Sequence, residues 1–283
     1  MTIARVVAEN VLTPNPSRPT APRGAVGLGT ALVVVSVVSA VATLAWPDLL
    51  TGTVVMNGSA RGTALVVLVL AVPLLALSLA RLLGRTGSVV GALGATSYLL
   101  YNAVLLAFAT PFNRVFLAYV AMLGLAFWTL VLLLRDVGVG PAGGGKGHRV
   151  AAVWILLVVS LNALAWLSAI VPATLGDRPT SVLDGTGLTT NPVYVQDLAL
   201  WLPALAWVAV QLWQGRARLL GAGALVFWAL EGIGVAVDQW WGHAADPSSD
   251  VASASVVPLF LAVAVVTALV ARMLLRDAPA PSS

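Results

Sequence analysis

Glu231 stands inside "WALEGIGVAVD", an otherwise apolar stretch running from Trp228 to Asp238. A carboxylate in such surroundings can hold a cation, carry a proton, or act as one member of an acid–base pair. Asp197, Asn102, Asn162, Asn113, Arg114 and Gln196 are the other polar side chains set in or beside apolar runs. Helical spacing puts Trp228, Glu231 and Asp238 on one face. It also pairs Tyr98 with Asn102, Asn162 with Trp166, and Asp197 with Trp201. At 1.5 Å per residue, Glu231 lies roughly 10–15 Å below the outer end of its run, with Asn102 and Asn162 at about 12 and about 14 Å. These three are expected to share a layer, and Asp197 is shallower, at roughly 8 Å. Trp166, Trp201 and Trp228 are the expected walls of a common cavity. Arg114 falls in the first turn of its helix, where the macrodipole disfavours a cation. A carboxylate within its reach would relieve that.

Composition specifies the scaffold that must hold these groups. The chain of 283 residues is 59% hydrophobic and 9% charged, with a mean hydropathy of +0.96. A soluble fold cannot hide so much apolar surface, nor cover itself with so few charges. Apolar runs recur at about 25–45, 63–83, 88–109, 112–134, 150–171, 193–213, 218–239 and 254–275. Each is close to the roughly 20 residues that cross a bilayer as a helix. The alternation of a membrane β-barrel is absent. The expected fold class is therefore all-α: a polytopic membrane helix bundle with eight transmembrane helices. Its domains are a disordered cytoplasmic tail over 1–24, one eight-helix unit over 25–276 and a short cytoplasmic tail over 277–283. The first run is longer than the apolar core of a signal peptide and is expected to stay in place.

Basic residues orient the bundle. With eight spans, both termini share a side. On that side lie Arg5, Arg18, Arg23, Arg81, Arg85, Arg135, Lys146, Arg149, Arg216, Arg218, Arg272 and Arg276. The opposite side has Arg61, Arg114 and Arg178. Twelve against three makes the terminal side cytoplasmic. Asp48, Asp177, Asp184, Asp246 and Asp250 fall in the outer loops, and the longest of these, 172–192, is placed to fold over the outer mouth. Fourteen arginines against one lysine fit a GC-rich bacterial genome, hence a bacterial plasma membrane. The basic residues are scattered through short loops, so no nucleic-acid partner is expected. The expected partners are the lipid bilayer and a small-molecule or lipid ligand.

Other motifs lead nowhere. "GPAGGGKG" (140–147) resembles a phosphate loop but lacks the final Ser/Thr and the preceding strand, so no nucleotide is expected. There are no cysteines, and His148 and His243 fall in opposite loops. No metal and no cofactor are expected. Pro73, Pro203 and Pro258 lie within inward-running spans and should kink them. Thr110-Pro111, Asn191-Pro192 and Asp246-Pro247 look like helix starts, with an N-cap residue before proline. "GSVVG" (87–91) suits close helix packing. No repeat between the two four-span halves is legible.

Two stretches, "SYLLYNAVLLAFATPFNRVFLAYVAML" (97–123) and "NPVYVQDLALWLPALAWVAVQLW" (191–213), carry a resemblance. They are similar to a group of bacterial multi-pass integral membrane proteins with Tyr-Asn, Phe-Asn and Asn-Pro…Asp motifs, here Tyr101-Asn102, Phe112-Asn113 and Asn191-Pro192…Asp197. The resemblance covers about a third of the chain and implies no activity. Three functional readings follow from the residues. In the first, an outward-facing polar pocket of Glu231, Asp197, Asn102, Asn162, Arg114, Asn113, Trp201 and Trp228 binds or transports a small ligand, with Glu231 and Asp197 binding a cation, a proton or an amine. In the second, Glu231 and Asp197 are acid and base of an enzyme acting on a lipid-linked substrate at the outer leaflet. In the third, the chain is a structural or assembly subunit, and the polar groups are interhelical hydrogen bonds.

Overall fold

The computed structural model describes residues 23–82, 86–140 and 143–276. The two tails, but for Arg23 and Gly24, lie outside these residues, as do 141–142 of the glycine-rich loop. Among the described residues, eight helices are long and apolar enough to cross a membrane. They are α1 (Gly24–Ala45), α2 (Val54–Ala80), α3 (Ser88–Phe108), α4 (Phe116–Asp136), α5 (Lys146–Leu175), α6 (Pro192–Trp213), α7 (Arg218–Ala245) and α8 (Ala254–Arg276). There is no β-strand among the described residues.

Two boundaries move for an informative reason. α2 begins at Val54, not near residue 63, and α7 runs on to Ala245. The added turns, "VVMNGSARG" and "QWWGHAA", are too polar to register as lipid-facing. They are helical because they pack on each other. A Cβ on Gly58 would lie 2.7 Å from the Trp241 carbonyl oxygen, and one on Gly62 would lie 2.8 Å from that of Val237. Two small residues four apart let the backbones touch. Gly94 and Gly223 do the same between α3 and α7: a Cβ on either would meet Phe227 N at 3.0 Å or Leu93 Cβ at 2.8 Å.

The halves share a packing pattern that the sequence does not show. In the first, α1 and α3 each contact α2 and α4; in the second, α5 and α7 each contact α6 and α8. The halves join where α7 lies against α2 and α3 and where the start of α6 meets α3. The second helix of each half carries the same irregularity. A π turn occupies Val67–Ala71 in α2 and Asp197–Trp201 in α6. Pro73 and Pro203 follow two residues later. Proline clashes with the carbonyl four residues earlier, here that of Val69 or Ala199, and the wider turn makes room for it. Pro258 behaves differently from expectation. It is the second residue of the α-helical part of α8, Val257–Arg276. There its missing N–H breaks no ladder.

The loops after α1, α3, α5 and α7 gather at one end, opposite Arg23 and Arg276. Gly52, Pro111, Asp184 and Asp250, one from each, line a common cavity. We call this the distal end. At the other end Arg218 closes α8: its Nε donates to the Leu274 carbonyl at 3.0 Å and its Nη2 to that of Leu275.

Candidate functional site

The distal cavity has a volume of about 890 Å³, within the roughly 300–1,000 Å³ typical of small-ligand sites. α1 contributes Ser36, Ser39 and Thr43, spaced three and four residues apart and therefore on one face. Thr43 donates its hydroxyl to the Ser39 carbonyl at 2.8 Å. The Ser36 and Ser39 hydroxyls are buried and have no hydrogen-bond partner. α2 contributes Asn57, Ser59 and Thr63, α3 contributes Asn102, and α7 contributes Asp238 and Gln239.

Hydrogen bonds set this wall. Asn57 Nδ2 donates to the carbonyls of Gly52 (3.1 Å) and Leu50 (3.3 Å), which folds the α1–α2 loop onto α2. Ser59 donates to the Asp238 carbonyl at 3.2 Å. Gln239 Nε2 donates to Asp238 Oδ1 at 3.1 Å, while its Oε1 accepts from Ser253 N at 3.0 Å. One amide thus fixes both the carboxylate and the loop into α8. The 172–192 segment roofs the cavity with Val182, Asp184 and Leu188.

Trp166, also at the cavity, leads to a second carboxylate. Its indole N–H donates to Asp197 Oδ2 at 2.8 Å. The Tyr101 hydroxyl bonds the same carboxyl. Asp197 opens the π turn of α6 and is 5% exposed. Beside it, Gln196 donates to the Tyr101 carbonyl at 3.4 Å and accepts from Trp201 Nε1 at 3.1 Å. The Trp201 ring stacks on Phe227 at 4.7 Å, with Tyr101 at 6.1 Å from each. Asn191 caps α6, its Oδ1 accepting from Val193 N at 3.0 Å, as its place before Pro192 implies.

Glu231 is one turn along α7 from Phe227. Its Oε2 is buried without a hydrogen-bond partner. Asp197 and Asp238 are both within electrostatic range of it. The Tyr98 hydroxyl is likewise buried, beside the Asn102 side chain. It lies over Gly234, where a Cβ would come within 2.6 Å of it. Among the described residues the ion pair found is Arg178–Asp184, 2.8 Å apart on the surface. No basic side chain pairs with Glu231, Asp197 or Asp238 there.

The structure thus gathers Glu231, Asp197, Asn102 and Trp201 around the contact of α3, α6 and α7, with Trp166 reaching in from α5. Other expected members lie elsewhere. Asn162 is on α5, which packs chiefly on α6 and α8. Its Oδ1 is buried without a partner, and no hydrogen bond joins it to Asn102 or Glu231 among the described residues. Asn113 shapes the turn before α4, accepting from Val115 N at 3.0 Å and donating to the Pro111 carbonyl at 3.1 Å. Arg114 is exposed and precedes α4, which starts at Phe116. It is therefore outside the first helical turn, and its charge is solvated instead of facing a carboxylate. Trp228 is half-buried against the core, and its neighbour Phe227 takes the aromatic place, since adjacent residues point about 100° apart. Sequence reasoning missed Ser36, Ser39 and Thr43. Their three- and four-residue spacing was the available signal.

No protein-family model matches the chain, and no solved structure matches it. The described residues contain no group of three or more His, Asp or Glu side chains that could hold a metal ion.

Proposed function

We propose that the protein binds a small cationic solute, such as an amine, in the distal cavity and carries it across a bacterial plasma membrane. The observation that supports this best is the charge balance. Asp238 lines the cavity, Asp197 and Glu231 lie behind its wall, and no basic side chain among the described residues pairs with any of them. Carboxylates set between low-dielectric walls focus a negative potential on the space before them and concentrate cations there. The serine hydroxyls and Asn102 supply polar contacts that fix orientation. The excess of basic residues that the sequence assigns to the terminal side, twelve against three, supports reading the distal end as the outer face. α2 and α6, with their π turns and prolines, border the cavity and its neighbouring carboxylate. A π turn and a proline within a continuous helix are places where it can bend, which suits a carrier that opens to alternate sides.

Thermal shift of the purified protein tests the binding. Tetramethylammonium and small primary amines should raise the unfolding temperature, and Asp238→Asn should abolish that shift. Stabilisation by anionic solutes, or a cation response that survives Asp238→Asn, would refute the assignment.

A further inference from the structure

We propose that Glu231 is a proton-binding site, occluded behind the cavity and reached from it through Tyr98, whose loading opposes cation binding at Asp238. The proposal rests on the cavity being a cation site and adds the partner ion that exchanges with the solute.

Glu231 is not part of the cavity lining, whereas Asp238 is. The two are seven residues apart on one face of α7, about 10 Å along the axis. Gly234 lies between them on that face, and the space of its missing Cβ is filled by the Tyr98 hydroxyl. That hydroxyl is within electrostatic range of both carboxyls. It sits beside the Asn102 side chain, while Glu231 Oε2 has no hydrogen-bond partner. An ionised carboxylate with a free, buried oxygen is badly placed, while a carboxylic acid in the same position carries no charge. The titratable groups facing Glu231 are Tyr98 and Tyr101 from α3, Asp197 from α6 and Asp238 from its own helix. α2, α5 and α8 bring none into range among the described residues. Tyr101, Trp201 and Phe227 pack together one turn further in, while Asn102, Val235 and Asp238, on the other side of Tyr98 and Gly234, line the cavity.

Loading moves one proton and changes no oxidation state. A hydronium ion that enters from the cavity past Asn102, which lines it one turn from Tyr98, gives a proton to the Tyr98 oxygen. The proton already on that oxygen passes to Glu231 Oε2 after rotation of the two side chains. A water molecule, a neutral tyrosine and a neutral carboxylic acid remain. Protonated Glu231 no longer adds to the negative potential at Asp238, so a cation there is held less strongly. A cation at Asp238 in turn favours release of the proton.

Infrared difference spectroscopy of the full-length protein, with tetramethylammonium chloride as the probe, tests this. The expected result is a protonated-carboxyl band that is absent in Glu231→Gln and is lost when the salt is added. In Tyr98→Phe the band should persist but exchange its proton with heavy water more slowly. Should Glu231→Gln fail to fold, dicyclohexylcarbodiimide provides the second measurement on the wild-type chain. It reacts with protonated carboxyls in apolar surroundings, and peptide mass spectrometry should find it on Glu231. Absence of both the band and the adduct overturns the proton site even if the cation stabilises the protein. A band that is present but indifferent to the salt overturns the coupling if the thermal shift is intact. If the thermal shift is also missing, it is the cation site that fails.

Discussion

The indole N–H of Trp166 donates to Asp197 Oδ2 across 2.8 Å, which ties α5 to α6 at the first residue of a π turn. α5 is tied to the bundle by other side-chain bonds as well. Trp154 to Thr267 on α8, at 2.9 Å, is one. The Trp166 bond places the cavity-facing edge of α5 and also decides what surrounds Asp197.

Asp197→Ala removes the acceptor shared by Trp166 and Tyr101 and should destabilise the protein by about 0.6–2 kcal/mol, the range for interhelical hydrogen bonds in membranes. Asp197→Asn keeps an oxygen acceptor and should cost less. Reversible unfolding in mixed micelles checks the order. Equal losses for the two substitutions would mean that charge, not the hydrogen bond, matters at this position.

The contact of α2 with α7 leaves no room for a side chain at Gly58 or Gly62. Gly62→Val would drive methyl groups into the Val237 carbonyl and the Asp238 backbone, where a Cβ alone would already lie at 2.8 and 3.1 Å. Overpacking of this kind costs about 1–3 kcal/mol. The prediction is a lower unfolding temperature and weaker cation stabilisation, because the same movement displaces Asp238. Gly124→Val, at a position with open space around it, is the control and should be close to neutral.

At the opposite end, Arg218→Met should loosen the last turn of α8. The guanidinium satisfies the carbonyls of Leu274 and Leu275, which have no partner within the helix. Loss of a charged cap at a helix C-terminus costs about 0.3–2 kcal/mol. Faster hydrogen exchange confined to the end of α8 is the expected signature.

The eight spans were legible because each apolar run matches the bilayer, and the conclusion does not depend on fine boundaries. The start of α2 was not legible. Asn57, Ser59, Arg61 and Thr63 belong to a polar turn that only the cavity and α7 make helical. The serines of α1 were hidden for another reason. A serine or threonine in an apolar helix can bond its own backbone, as Thr30 and Thr43 do, so its type alone signals nothing. Glu231, Asp197 and Asn102 stood out because an ionisable group or an amide in hydrocarbon needs a reason to be there. Arg114 misled because its position relative to the helix start differs by one turn from that implied by the apolar pattern.

Orientation can be read with single cysteines, since the chain has none of its own. Thr189→Cys in the distal loop should react with a membrane-impermeant maleimide on intact cells. Gln214→Cys at the other end should react only after permeabilisation. Both residues are exposed. The reverse pattern would invert the topology and turn the cavity towards the cytoplasm.

The rate at which charged thiol reagents modify Thr63→Cys on intact cells tests the central claim most directly. Thr63 lines the cavity one residue from Gly62, which packs on the Asp238 backbone. Trimethylammonium-ethyl and sulfonato-ethyl methanethiosulfonates are similar in size and opposite in charge. With rates normalised to those with a free thiol, the cationic reagent should be faster by about tenfold, the lower end of electrostatic focusing in a charged cleft. That preference should vanish in the Asp238→Asn background. A cysteine that does not react from outside, or that reacts without regard to charge, would contradict an outward-facing cation cavity.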